Sequence, residues 1–92
     1  MGYQVTVYSA GPACAACRLT KKALDREGVA FTEIDLTVAG EAVAETVRML
    51  GHTQAPVVVA EVGSWSTDWS GFRPDQITDL VRRVRAMEAR AA

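Results

Sequence analysis

Cys14 and Cys17 are the residues of this 92-residue chain whose type and spacing are best suited to chemistry. They follow a Gly-Pro break after a strand-like segment, where a helical pattern begins. A helix N-terminus carries unpaired N–H groups and partial positive charge, both of which stabilise a thiolate. We therefore expect the pKa of Cys14 to lie below the free value of about 8.5. The pair predicts thiol–disulfide exchange.

The spacing also suits a reversible disulfide. Two cysteines at positions i and i+3 of a helix start can satisfy disulfide geometry, with Cα atoms roughly 5–6 Å apart. We expect Cys14 to attack a target disulfide and Cys17 to resolve the mixed disulfide that forms. Arg18, Lys21 and Lys22 add positive charge nearby, which solvent partly screens.

Other interpretations of the pair remain open from the residues alone. Both cysteines could be buried, inert side chains. They could also hold Cu(I) or Zn(II) between two thiolates, as a metal carrier does, or share an iron–sulfur cluster with a second chain. A closed zinc site needs four ligands, and the chain adds only His52, which falls in a predicted loop. We therefore expect no metal-binding residues.

Composition narrows the class of protein. Ten basic and eleven acidic residues give a net charge of −1, so nothing favours nucleic-acid binding. The apolar run over residues 55–60 is too short to cross a membrane, and the N-terminus lacks a signal-peptide pattern. Secreted disulfide scaffolds use more cysteines at wider spacing. We expect a cytoplasmic protein with one domain over residues 1–92.

Hydrophobic periodicity predicts the order β-α-β-α-β-β-α. The predicted elements are strands over 4–9, 31–35 and 55–60, a helix from Cys14 to Gly28, a helix over 40–50, a turn over 63–68 leading into a short strand around Trp65, and a helix from Pro74. Crossover helices imply parallel strands, and the last two strands are close enough for a hairpin. The fold class is α/β, with a four-stranded mixed sheet and three helices.

Each predicted helix has an apolar stripe that should face the sheet. The stripes are Leu19, Ala23 and Leu24 in the first helix, Val43, Thr46, Val47 and Leu50 in the second, and Ile77, Leu80, Val81, Val84 and Met87 in the third.

Three segments carry a family resemblance that covers nearly the whole chain. They are Cys14-Ala15-Ala16-Cys17 after the first strand, Gln54-Ala55-Pro56-Val57-Val58-Val59, and Trp69-Ser70-Gly71-Phe72-Arg73-Pro74. The sequence resembles the glutaredoxin-like proteins of the thioredoxin-fold superfamily, and within them the NrdH redoxins. Residues 11–17 are also similar to the metal-binding loop of heavy-metal-associated copper chaperones, whose strands and helices follow a different order.

The resemblance implies roles for residues outside the cysteine pair. Pro56 would form a cis peptide bond facing the cysteines, and the backbone of Ala55 would pair with a strand of the protein substrate. Trp69, Ser70, Gly71 and Phe72 would form the partner-binding segment, with Trp69 as an exposed aromatic. Trp65-Ser66 partly repeats Trp69-Ser70, so either tryptophan is a candidate for the family role.

The resemblance also implies partners. A thioredoxin fold with Cys14 and Cys17 as catalytic residues would reduce a class Ib ribonucleotide reductase or another disulfide-containing protein. Thioredoxin reductase would regenerate the dithiol with NADPH, and the protein itself would bind no cofactor. We expect a monomer without nucleic-acid or membrane partners. The alternative is a glutathione-dependent glutaredoxin, although the Gly-Gly pattern typical of a glutathione site is absent after the last strand.

Overall fold

The strands and helices follow the predicted order β-α-β-α-β-β-α. In the computed structural model, which describes residues 2–91, they are β1 (Tyr3–Ser9), α1 (Ala15–Arg26), β2 (Thr32–Asp35), α2 (Glu41–Met49), β3 (Val57–Val62), β4 (Trp65–Ser70) and α3 (Pro74–Ala91). The predicted domain limits, Met1 and Ala92, lie outside the described residues. Within residues 2–91, no helix has both the length and the apolar character that a membrane span requires.

The four strands form one mixed sheet in the order β2-β1-β3-β4. β1 pairs with β2 in parallel, while the β1–β3 and β3–β4 pairs are antiparallel. A parallel pair needs a crossover connection, which α1 supplies between β1 and β2. The predicted α/β class and thioredoxin fold are confirmed.

The strand register brings three chain segments to one end of the sheet. Tyr8 pairs with Val57, and Val57 pairs with Ser70. The end of β1, the start of β3 and the end of β4 therefore lie side by side, at the usual strand spacing of about 4.8 Å. The cysteine loop, Ala55-Pro56 and the segment after Ser70 consequently belong to the same edge of the molecule.

The main hydrophobic core lies on the sheet face that α1 and α3 cover. Its buried members are Val5, Val7, Leu24, Val29, Val58, Ala60, Val62, Trp69, Ile77, Leu80, Val81 and Val84. Side chains alternate between the two faces of a strand, so Val58 and Ala60 enter this core while Val57 is buried on the opposite face. The predicted stripe of α3 is confirmed, with Met87 packed partly buried against the same cluster.

Strands β3 and β4 differ from their predicted limits. The predicted turn over 63–68 was too long, because Val62 pairs directly with Trp65 and leaves only Gly63 and Ser64 in the hairpin turn. Residues 66–68 therefore belong to the strand. β3 starts at Val57 and not at residue 55, since proline has no N–H to donate to the strand ladder.

Two of the predicted helix stripes are only partly buried. Leu24 of α1 is fully buried, but Leu19 is 48% exposed. In α2 only Val47 is buried, and Leu50, the residue that caps its C-terminus, is 40% exposed. A short helix meets the sheet along a narrow band, so apolar residues at the margins of its stripe remain in contact with solvent.

Candidate active site

Cys14 and Cys17 lie at the N-terminus of α1 and are joined by a disulfide. Cys14 is the N-cap residue, with extended backbone angles of φ −81° and ψ 107°. The two Cα atoms are 5.2 Å apart, which confirms the separation expected from the i, i+3 spacing. The structure is therefore that of the oxidised form of the pair.

The two sulfur atoms differ in exposure and in their hydrogen bonds. Cys17 is 1% exposed, whereas Cys14 is half-buried. The Cys17 N–H donates to Cys14 Sγ at 3.2 Å, and the Ala10 N–H donates to Cys17 Sγ at 3.4 Å. Each sulfur thus faces a backbone donor that would stabilise negative charge on it. Cys14 is the more exposed of the two cysteines.

The loop before the cysteines is held by its own backbone and by one arginine. Gly11 has φ +91°, and a Cβ there would lie 3.2 Å from Thr37 Cγ2, so a larger residue would be strained and crowded. The Cys14 N–H donates to the Gly11 carbonyl at 3.2 Å. Arg18 Nη1 donates to the Pro12 carbonyl at 2.6 Å, so its guanidinium stabilises the loop. The sequence indicated only that Arg18 adds positive charge near the cysteines.

Ala55 and Pro56 lie at the same end of the sheet and are joined by a cis peptide bond, as the resemblance implied. Pro56 is buried and Ala55 is half-buried. The Gly71 N–H donates to the Pro56 carbonyl at 2.8 Å, which ties this loop to the segment after β4. Among the backbone hydrogen bonds of residues 2–91, none involves Ala55.

Trp69 is buried, and the expectation of an exposed aromatic there was wrong. It is 3% exposed and lies opposite Val58, so strand alternation directs it into the core. Its Nε1 has no hydrogen-bond partner within the described residues. Phe72, at 36% exposure, is the aromatic that this segment presents to solvent, while Ser70 and Gly71 are half-buried.

The two tryptophans occupy opposite ends of β4. Trp65 pairs with Val62 beside the hairpin turn, and the Arg83 guanidinium lies 4.2 Å from its ring centroid. Trp69 lies one residue before the end of the strand that adjoins Pro56. Trp69 is therefore the tryptophan located at the cysteine end of the sheet.

A polar cluster lies beside the end of β1 and was not found from the sequence. The buried Ser9 hydroxyl donates to Glu33 Oε2 at 2.8 Å, and Lys21 Nζ lies 2.9 Å from the same oxygen. The hydrogen bond from Lys21, followed by that from Ser9, lowers the pKa of Glu33 from its usual 4.5. Ser9 and Glu33 meet through the register of β1 and β2, and Lys21 reaches Glu33 from α1, so no local sequence pattern reveals this cluster.

We expect Lys21→Met to raise the pKa of Glu33 and to weaken folding at neutral pH. A carboxylate with a lowered pKa stabilises the fold above its unfolded value near 4.5, and this contribution is lost as pH falls through the folded value. The loss should be below about 1 kcal/mol, because both partners are partly exposed and screened by solvent. Urea unfolding at neutral and at strongly acidic pH, with NMR titration of Glu33, measures it.

The exposed neighbour Lys22 provides the control for this prediction. Lys22→Met removes the same charge without removing the hydrogen bond to Glu33. Equal titration curves for Glu33 in the two variants would show that Lys21 does not set its pKa.

The described residues, 2–91, contain no group of three or more His, Cys, Asp or Glu side chains arranged to hold a metal ion. His52 is a loop residue, as predicted, and its Nε2 contacts Asp68 Oδ2 at 2.5 Å. This contact links the loop after α2 to β4.

Comparison with known proteins supports the resemblance. The glutaredoxin family model matches residues 5–62. The glutaredoxin-like protein NrdH of Escherichia coli K12 is 42% identical over 77 residues, which cover 84% of this chain and 88% of that protein.

Solved structures agree with this assignment. That of the E. coli NrdH-redoxin, described as having a thioredoxin-like activity profile, matches with a TM-score of 0.70 and 40% identity, covering 84% of this chain and 93% of the other. A glutaredoxin from Archaeoglobus fulgidus matches with a TM-score of 0.66 and 27% identity over 86% of each chain.

The fold, the cysteine pair and the relatives lead to one assignment. Cys14 and Cys17 form a redox-active pair at the N-terminus of α1, in a chain whose relatives share most of its length. The protein is therefore a thiol–disulfide oxidoreductase of the glutaredoxin family, within which it belongs to the NrdH-type redoxins.

Proposed function

We propose that the reduced protein transfers two electrons to a protein disulfide, with Cys14 as the nucleophile and Cys17 as the resolving thiol. The observation that carries this assignment is the difference in exposure, since Cys14 is half-buried and Cys17 is 1% exposed. A protein disulfide can approach the first sulfur but not the second. The hydrogen bond from the Cys17 N–H stabilises Cys14 as the thiolate that attacks.

The exchange conserves atoms and electrons. The Cys14 thiolate forms a bond to one target sulfur and breaks the target disulfide, whose other sulfur leaves as a thiolate and takes up a proton. Cys17 then loses its proton and attacks Cys14 Sγ, which breaks the mixed disulfide and releases the second target thiol. The target disulfide is reduced, and the pair is oxidised to the Cys14–Cys17 disulfide.

The proposed substrate-binding surface lies at the same end of the sheet as Cys14. Ala55 is half-buried, and its backbone groups are left out of the hydrogen bonds within residues 2–91. They are therefore free to pair with an extended segment of the target. The hydrogen bond from the Gly71 N–H to the Pro56 carbonyl holds the segment Ser70-Gly71-Phe72 beside Ala55. The buried Trp69 supports this segment from the core.

The physiological target is a class Ib ribonucleotide reductase, and thioredoxin reductase restores the dithiol with electrons from NADPH. The target is what the resemblance of residues 69–74 to the NrdH redoxins implies, and the thioredoxin-like activity profile described for the E. coli NrdH-redoxin supports the reductase. The protein acts as a monomer in the cytoplasm, where the reduced state of the pair is maintained.

The test is reduction of insulin disulfides with NADPH, supplied either through thioredoxin reductase or through glutathione and glutathione reductase. We expect turnover with thioredoxin reductase and only background with the glutathione system, followed through NADPH absorbance. Turnover with glutathione alone would contradict the proposed reductase. Activity with neither system would contradict disulfide reduction and direct attention to metal binding by the two thiols.

The proposed target is tested separately. The active-site cysteines of a class Ib ribonucleotide reductase are first oxidised to the disulfide, which stops ribonucleotide reduction. Adding this protein together with thioredoxin reductase and NADPH should restore ribonucleotide reduction over many turnovers. Recovery that does not depend on this protein would contradict the proposed target.

A further inference from the structure

A groove of about 540 Å³ runs between α1 and α3, apart from the cysteine pair. Ala23, Ile77, Val81 and Phe72 contribute its apolar lining. The volume falls within the range of about 300–1,000 Å³ that is typical of ligand-binding clefts. The groove is therefore large enough to accept a side chain and neighbouring backbone from another molecule.

The rim of this groove is basic. Arg26, Arg82 and Arg85 line it together with one acidic residue, Glu27, which leaves a local charge of +2 on a chain whose net charge is −1. Arg85 is neutralised by Glu27 at 2.7 Å. Within residues 2–91, Arg26 forms no ion pair, so its charge is available to a partner.

Arg82 is similarly available. Its side chain is 73% exposed, and the nearest carboxylate oxygen, on Asp79, lies 4.0 Å from Nη1. An exposed ion pair at this distance contributes little stabilisation energy and leaves the Arg82 charge free to bind a partner. The rim thus presents two guanidinium groups above an apolar floor, which is the complement of a segment combining carboxylates with an apolar side chain.

The groove is continuous with the proposed substrate-binding surface. Phe72 is one of the residues that line it, and the N–H of the adjacent Gly71 donates a hydrogen bond to the Pro56 carbonyl. On α1, Leu19 is followed by Ala23 and Arg26 at helical spacings of four and three, so the three residues share a face. The 48% exposure of Leu19 therefore extends the apolar path from the groove toward the cysteine end of the helix.

The length of the groove suits a peptide. From Pro74 to Arg85 along α3 the distance is roughly 17 Å at 1.5 Å per residue, which an extended segment of about five residues would span. We propose that this groove binds an acidic segment of the disulfide-containing protein substrate, with an apolar side chain between the helices and carboxylates at Arg26 and Arg82. The inference rests on the proposed function and specifies its substrate class.

Three synthetic peptides test the proposal. Each carries the same disulfide-closed loop followed by five residues that contain one leucine and either acidic, uncharged or lysine neighbours. The protein is reduced, freed of reductant and mixed with each peptide, and the rate constant for a single turnover is measured by acid quench and chromatography. We expect the acidic peptide to react about three- to tenfold faster than the uncharged one, and the lysine peptide to react more slowly.

Matched variants locate the preference. Arg82→Glu should abolish or reverse the faster reduction of the acidic peptide. Arg90→Glu makes the same charge change at an exposed position of α3 outside the groove and should leave most of that rate difference unchanged. Equal rates for the three peptides would overturn the inference while leaving disulfide reduction intact. Equal effects of the two variants would also overturn it, because net charge and not the groove would then account for the preference.

A binding measurement separates this inference from the proposed function. If no peptide is reduced, the proposed function fails, and a cysteine-free acidic peptide is titrated into the isotope-labelled protein. Shifts of the Thr78 and Val81 amide signals would still support peptide binding in the groove. No shifts at these positions would overturn it.

Discussion

Replacing Cys14 with serine is expected to reduce disulfide reduction to the uncatalysed rate, whereas replacing Cys17 with serine should trap a covalent complex with the target. A serine hydroxyl is not ionised at neutral pH and cannot attack a disulfide. The remaining Cys17 is 1% exposed, so a protein disulfide cannot reach it. In the reverse variant, Cys14 still attacks, but no thiol remains to resolve the mixed disulfide.

The measurement is mass spectrometry of each reduced variant after mixing with oxidised insulin. Ala15→Ser is the control, because it adds a hydroxyl at an exposed position between the two cysteines and keeps both thiols. It should form no lasting complex and should retain turnover. A stable complex with Cys14→Ser, but none with Cys17→Ser, would show that the two roles are exchanged.

Replacing Trp69 with alanine is expected to lower the free energy of unfolding by about 3–5 kcal/mol. The side chain is 3% exposed and belongs to the main core. A native domain has a total stability of about 5–15 kcal/mol, so this loss removes a large fraction of it. Trp69→Phe should lose much less, because it keeps an aromatic ring and removes a buried Nε1 that has no partner within the described residues.

Phe72→Ala is the comparison for Trp69→Ala. Phe72 is 36% exposed, so its removal should cost about 1–2 kcal/mol, less than that of Trp69, while slowing the reduction of protein substrates more than that of a small disulfide. Urea unfolding and the two activity assays measure these effects. Full stability of Trp69→Ala combined with a loss of protein-substrate activity would contradict the structural role of Trp69 and favour its direct contact with a partner.

The candidate active site contains two kinds of residue, those that react and those that support them. In the proposed mechanism Cys14 carries the chemistry and must be reachable by the target disulfide, which its half-buried position allows. Trp69 is buried two residues before Gly71, whose N–H donates to the Pro56 carbonyl, so we expect it to support the site by holding that segment in position. The residues that resemble a family segment therefore divide into those that support the site and those, such as Phe72, that can touch a partner.

The redox pair and the order of the strands and helices could be predicted from the amino-acid sequence. The relation between Cys14 and Cys17 is local, since a spacing of three residues at a helix start sets the distance between their Cα atoms. The order β-α-β-α-β-β-α follows from hydrophobic periodicity, which is likewise a property of neighbouring residues. The cis bond before Pro56 was predicted through the family resemblance and not from local physics.

The faces on which the less regular residues lie depend on contacts between distant parts of the chain. A shift of one residue in strand register exchanges the two faces of a strand, so the burial of Trp69 depends on its pairing with Val58. The hydrogen bond from Ser9 to Glu33 forms only when β1 and β2, which are connected through α1, pair with each other. The basic groove likewise exists only because α1 and α3, far apart in the chain, lie next to each other on the sheet.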